Sequence, residues 1–143
     1  MSIPLMIVDD EEGIRNSLKE YFEMEGYDVD TAKDGEEAIK MTKQKKYSIV
    51  LMDINMPLLD GIESMQAIKE IDFSIQVIMM TAYSTFEKTM KSLELGATDY
   101  ILKPFGELDE LLRLVEISEE RLSRWRRNMA ESIVKQRKSM QHR

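Results

Sequence analysis

Short unbroken apolar runs alternate along the chain with longer segments whose apolar residues recur every three or four positions. The first run, Ile3-Pro4-Leu5-Met6-Ile7-Val8, reads as a buried strand ending at Asp9-Asp10. Ile14, Leu18, Tyr21 and Phe22 then recur at helical spacing, and Gly26 follows where a helix C-cap favours glycine. A short strand is predicted at 27–31, and a helix at 35–45 with Ala38, Ile39 and Thr42 inward. Ser48-Ile49-Val50-Leu51-Met52 is the next continuous run and ends at Asp53; Ile62, Met65 and Ile68 mark a third helix. Gln76-Val77-Ile78-Met79-Met80 ends at Thr81, and Phe86, Met90 and Leu93 mark a fourth helix closed by Gly96. Asp99-Tyr100-Ile101-Leu102 is the last strand and ends at Lys103-Pro104.

Strands that are apolar on both faces belong in a parallel sheet covered by helices on both sides, an α/β fold. Right-handed crossovers then favour a doubly wound sheet. Such sheets collect their binding groups beyond the carboxyl ends of the strands. Asp9, Asp10, Asp53, Thr81 and Lys103 all fall at those ends.

Composition narrows the chemistry. The 143 residues suit one domain with a little left over, and no apolar run approaches the ~18 residues of a membrane span. Cysteine is absent, which removes disulfides and thiolate metal sites. The first residues lack the basic flank and cleavage site of a secretory signal, so a cytoplasmic protein is expected. The net charge of −7 is unevenly spread: residues 121–143 hold eight Lys/Arg and one acid, which leaves −14 on the rest. An acidic body of this kind does not bind nucleic acid by bulk electrostatics.

Three carboxylates gathered in one pocket repel each other and require a compensating charge. An oxygen-only donor set suits Mg²⁺ or Mn²⁺, the usual partner of phosphoryl oxygens. Lys103 adds a positive charge, the Thr81 hydroxyl can donate to a phosphoryl oxygen, and Asp53 can act as a covalent nucleophile. Taken singly, these residues have plain explanations: a solvated acidic turn, a loop with Pro57 and Asp60-Gly61, a helix cap, a surface lysine. One such group at the end of each relevant strand is a pattern that none of those explanations yields. The methionines 6, 41, 52, 79 and 80 read as core filler.

The chain resembles the receiver domain of bacterial two-component response regulators. The matching residues are Asp9-Asp10, Asp53-Ile54-Asn55-Met56-Pro57-Leu58-Leu59-Asp60-Gly61, Thr81-Ala82 and the run from Gly96 to Phe105. The resemblance covers about residues 3–121 and implies a flavodoxin-like five-stranded sheet in the order 2-1-3-4-5. It further implies phosphorylation of Asp53, with Mg²⁺ held by the side chains of Asp10 and Asp53, the backbone carbonyl of Asn55 and, through water, Asp9. Lys103 would contact the phosphoryl group, and its bond to Pro104 would be cis. Thr81 and Tyr100 would form the switch pair, and Asn55 and Tyr83 would tune hydrolysis. The fourth helix, last strand and fifth helix would form the output face. The only histidine, His142, stands in the tail, so the expected donor is a separate histidine kinase or phosphotransfer protein, and the expected recipient of the signal is an attached or separate effector.

Two other activities fit less well. A haloacid-dehalogenase-type phosphatase needs a second Asp two residues after the nucleophile, where this chain has Asn55; an enzyme acting on external substrates is therefore not expected. A nucleotide- or flavin-binding protein needs a Gly- or Ser/Thr-rich loop where this chain has Asp9-Asp10-Glu11-Glu12.

Beyond residue 107 the helical pattern continues without Gly or Pro. Leu108, Leu111, Val115, Leu122, Trp125 and Met129 fit heptad positions, with Ser118 and Ser132 as weak points. A receiver at 1–121 followed by a basic helical extension at 122–143 is expected. Leu122, Trp125, Met129 and Ile133 would lie beyond the body, and homodimerisation through this helix would cover them.

Overall fold

The computed structural model describes residues 2–82, 86–103 and 107–141, residue 141 by its backbone alone. Strands and helices alternate strictly: β1 (Pro4–Val8), α1 (Glu12–Met24), β2 (Asp28–Ala32), α2 (Gly35–Gln44), β3 (Ile49–Asp53), α3 (Gly61–Ile71), β4 (Gln76–Thr81), α4 (Phe86–Glu94), β5 (Asp99–Leu102) and α5 (Leu108–Gln141). All the strand pairs are parallel, in the order β2-β1-β3-β4-β5.

Successive strand residues face opposite sides of the sheet, which explains why the strands are apolar throughout. Met6, Val8, Val50, Met52, Val77 and Met79 pack under α2, α3 and α4. Leu5, Ile7, Ile49, Leu51, Ile78 and Met80 pack under α1 and α5 with Leu18, Phe22, Leu111 and Val115. The methionines at 6, 52, 79 and 80 are fully buried and Met41 packs against the first layer, as core filler should.

Helix ends follow local chemistry. Asp34 caps α2 by accepting from Glu37 N, and Asp60 caps α3 by accepting from Glu63 N. Gly26 and Gly96 end α1 and α4 at φ +95° and +117°. There Tyr27 N reaches back to Phe22 O, and Ala97 N to Ser92 O, which closes the last turn of each helix.

The helix faces hold two departures from the apolar pattern. On α4 Phe86 and Met90, whose spacing marks the helix, are exposed; Thr89 and Ser92 are buried instead, and Leu93 packs on the core. The helix is turned so that small hydroxyl side chains lie over β4. In α5, Leu122 was expected beyond the body but is buried, and Trp125 lies edge-on to Phe73 of the α3–β4 turn at 5.6 Å. Ser118, a weak point of the heptad, is also buried, with its hydroxyl donating to Leu114 O at 2.8 Å. Trp125 is still 38% exposed, and beyond it the apolar stripe (Met129, Ile133, Met140) is open to solvent. No helix among the described residues is long and apolar enough to cross a membrane.

Candidate functional site

β1 and β3 are neighbours in register, so the residues following Val8 and Met52 emerge side by side at the carboxyl edge. Oxygen atoms of Asp9, Asp10 and Asp53 all lie within 4.8 Å of one another. Asp9 is fully buried and Asp53 nearly so, whereas Asp10 faces solvent. The Asp9 carboxylate accepts from Glu11 N at 2.9 Å, and its main-chain carbonyl accepts from the Arg15 guanidinium at 2.8 Å. Asp53 Oδ1 accepts from Asn55 N at 3.3 Å, and Ile54 N donates to Met80 O at 3.1 Å. The nucleophile candidate is thus held by the backbone of its own loop and by β4.

Lys103, the residue after β5, crosses to this cluster. Its Nζ lies 2.6 Å from Asp9 Oδ2 and 3.5 Å from Asp53 Oδ2, and its own N–H donates to Thr81 O at 2.7 Å. Burial pulls the Lys103 ammonium down, but the Asp9 hydrogen bond and the charges of Asp53 and Asp9 outweigh it, so its pKa is raised. Asp53 is pushed up to about 7, mainly by burial and next by the charge of Asp9; Lys103 and the Asn55 amide act against this without cancelling it. One ammonium does not balance three carboxylates. The donor set is all oxygen and open to solvent at Asp10, so it fits a hard divalent cation.

Thr81 is buried at the end of β4. Its hydroxyl donates to Ala82 O at 3.2 Å and accepts from Thr89 Oγ1 at 2.9 Å, while Ser92 donates to Thr89 O at 2.6 Å. This hydroxyl chain ties the candidate switch residue to α4. The sequence reading passed over Thr89 and Ser92, although their i, i+3 spacing was legible. Arg15 likewise had nothing in its sequence context to single it out.

The structure therefore brings together Asp9, Asp10, Asp53 and Lys103, with Thr81 beside Lys103 through the backbone. Asn55 contributes its main chain, and its side chain is exposed. Tyr100 pairs with Met79 in the ladder, two positions from Thr81's partner Leu102, and the residue is 38% exposed. Tyr83, the Lys103–Pro104 peptide, Phe105 and His142 lie outside the described residues.

Comparison with known proteins gives the same picture. The sequence profile of the response regulator receiver domain matches residues 5–116. Sporulation initiation phosphotransferase F of Bacillus subtilis is 40% identical over 111 residues, 78% of this chain and 89% of that protein. Regulatory protein AtoC of Escherichia coli is 38% identical over 112 residues, again 78% of this chain but 24% of that protein. The crystal structure of NtrX from Brucella abortus in complex with ATP superposes with a TM-score of 0.85 at 27% identity, over 90% of this chain and 29% of that one. The chain thus spans most of one relative and under a third of the other two. With its fold, its strand-end acids and these matches, the chain belongs to the response regulator receiver family of two-component signal transduction.

Proposed function

We propose that the chain is a Mg²⁺-dependent phosphoacceptor switch in which Asp53 takes a phosphoryl group from the phosphohistidine of a partner kinase or phosphotransfer protein. The observation that carries this reading is the cluster of Asp9, Asp10 and Asp53 oxygens within 4.8 Å, with Lys103 bridging Asp9 and Asp53. Asp10 and Asp53 side chains and the Asn55 carbonyl would hold Mg²⁺ (or Mn²⁺), with Asp9 acting through water. When bound, the cation neutralises charge on the phosphoryl oxygens. An Asp53 oxygen forms the new O–P bond as the N–P bond to the donor imidazole breaks, leaving an acyl phosphate. The protein's own catalysis is limited to gaining and losing this group, with Asn55 and Tyr83 tuning the loss.

The new dianion draws Lys103 and the Thr81 hydroxyl. Moving Thr81 breaks its contact with Thr89, and α4 and Tyr100 follow, so the α4–β5–α5 face changes for an effector, attached or separate. A cytoplasmic setting goes with this reading. The test is intact mass with phosphoramidate: one phosphoryl group is gained only with Mg²⁺, and no gain with any donor overturns the proposal. Lys103→Ala is expected to lose the phosphorylation-dependent amide shifts of Thr81 and Thr89 in NMR spectra; a variant that shifts as the wild type does removes Lys103 from the switch.

Residues 1–121 make up the receiver on this reading, and 122–143 an extension that pairs with a second copy. The exposed stripe is not a continued heptad. Heptad position 132 is serine, and the apolar residues resume at Ile133 and Met140, which repeat the 122 and 129 positions after eleven residues. That spacing suits straight or slightly right-handed pairing. Two tails of +6 repel, so self-association strengthens as salt rises from about 0.05 to about 0.5 M, where the Debye length shortens. A chain ending at Trp125 keeps the Phe73 contact and the fold but sediments as a monomer; an unchanged dimer would refute tail pairing.

A further inference from the structure

Of the three acids at the carboxyl edge, Asp10 is the one whose side chain nothing holds. The Asp9 carboxylate accepts from Glu11 N at 2.9 Å and from Lys103 Nζ at 2.6 Å. Asp53 accepts from Asn55 N at 3.3 Å and faces Lys103 Nζ at 3.5 Å. Among the described residues no hydrogen bond or ion pair reaches the exposed Asp10 carboxylate. One of its oxygens nevertheless lies within 4.8 Å of ligand atoms of the other two acids. The main chain that precedes it must do the aiming.

That main chain is gripped at Asp9. Asp9 N donates to Ala32 O at 3.2 Å, and Asp9 O accepts from the Arg15 guanidinium at 2.8 Å. The peptide joining Asp9 to Asp10 is planar, so the direction of the Asp9 carbonyl also sets the Asp10 N–Cα bond. Arg15 is half-buried on the first turn of α1, where its own N–H donates to Glu11 O at 3.1 Å. Asp side chains cap α2 and α3, whereas the N-cap of α1, Glu11, makes no side-chain bond. Arg15 supplies from within the helix the tether that a cap residue would otherwise give.

We infer that Arg15 is a positioning residue for the divalent-cation site, turning the Asp10 carboxylate toward Asp9 and Asp53 through the Asp9 carbonyl. The inference rests on the reading of Asp10 as a metal ligand. Its sign separates it from simple electrostatics. A guanidinium beside the site repels a cation, so on charge alone its removal would tighten Mg²⁺ binding. Loss of the tether acts the other way, because a freed ligand must be ordered when the cation binds.

The experiment compares wild type, Arg15→Met and Arg15→Lys by calorimetric titration with Mg²⁺, by melting in EDTA, and by phosphoramidate labelling at saturating Mg²⁺. Methionine keeps the long stem without a donor; lysine keeps a donor and the charge. Arg15→Met is expected to raise the Mg²⁺ Kd roughly tenfold, and Arg15→Lys to recover most of the affinity. Both are expected to melt close to the wild type in EDTA and to label at the wild-type rate once Mg²⁺ is saturating. An unchanged or lower Kd in Arg15→Met overturns the inference. So does a weakened site that lysine fails to restore, or labelling that stays slow at saturation, since Arg15 would then shape the fold or the acceptor. If the wild type binds no Mg²⁺, the metal-site reading fails and this inference with it.

Discussion

Asp53→Asn is expected to abolish phosphoryl incorporation and, in the absence of metal, to stabilise the fold. The amide is not a nucleophile, so the intact mass stays unchanged with any donor. The stability gain follows from electrostatics. Burial and the charge of Asp9 raise the Asp53 carboxyl to about 7. A group whose folded pKa lies above its unfolded value contributes its full stability at pH below about 4, and that contribution is lost as pH rises through about 7. In EDTA, wild type and Asp53→Asn should therefore melt alike at pH 4 or just below, where the carboxyl is protonated in the fold and largely so in the unfolded chain. At pH 8 the variant should be more stable by about 2 kcal/mol, roughly 6 °C in melting temperature. Mg²⁺ at a hundredfold its Kd reverses the order, since the wild type then gains about 2.7 kcal/mol and the variant lacks the ligand carboxylate. Calorimetry at the two pH values, with and without Mg²⁺, checks both halves. A variant that loses stability at pH 8 without metal would show that the Lys103 contact outweighs the repulsion.

Gly61→Ala is expected to damage the fold and the site together. A Cβ at Gly61 would press against the carbonyl oxygen of Asp53 and lie 2.8 Å from Ile54 Cα, both backbone atoms at the end of β3. Flexible side chains can swing aside; here the acceptor strand itself must move. The Gly61 N–H also donates to Ile54 O at 2.8 Å, so the same shift loosens the turn that seats Asp53. The expected loss is about 3 kcal/mol, near 10 °C, together with slower phosphorylation by a small donor. Gly13→Ala is the control: nothing lies within 4 Å of the added Cβ, and alanine favours the α1 helix by about 0.5–1 kcal/mol. A Gly61→Ala protein as stable and as reactive as the wild type would contradict the close approach.

Most of the architecture was legible because each layer obeys a local rule. Continuous apolar runs such as Leu51-Met52 arise only where both faces of a strand are covered, so the order of elements and the parallel sheet followed from periodicity. The strand-end placement of Asp9, Asp53, Thr81 and Lys103 was legible for the same reason, since topology sends every parallel strand's carboxyl end to one edge. Helix ends were legible at Gly26 and Gly96, where a positive φ excludes most other residues.

What the sequence did not disclose depends on how finished surfaces meet. The rotation of α4 was hidden because Phe86 and Met90 are the more hydrophobic residues, yet the space over Thr81 admits only side chains the size of Thr89 and Ser92. The limit of the packed body along α5 was hidden because Leu122 and Met129 look alike in a heptad, and only the reach of the α3–β4 turn, through Phe73 onto Trp125, decides which is covered. The left-handed backbone of Leu58 (φ +69°) was hidden for a related reason: it sits in a tight turn between buried Met56 and the Asp60 cap, closed by Leu59 N donating to Pro57 O. The sequence by itself determined which chemistry gathers at the carboxyl edge, because strand polarity is a one-dimensional property. Distances, burial and side-chain facing were decided only by the tertiary structure, because they depend on residues far apart in the chain competing for the same volume.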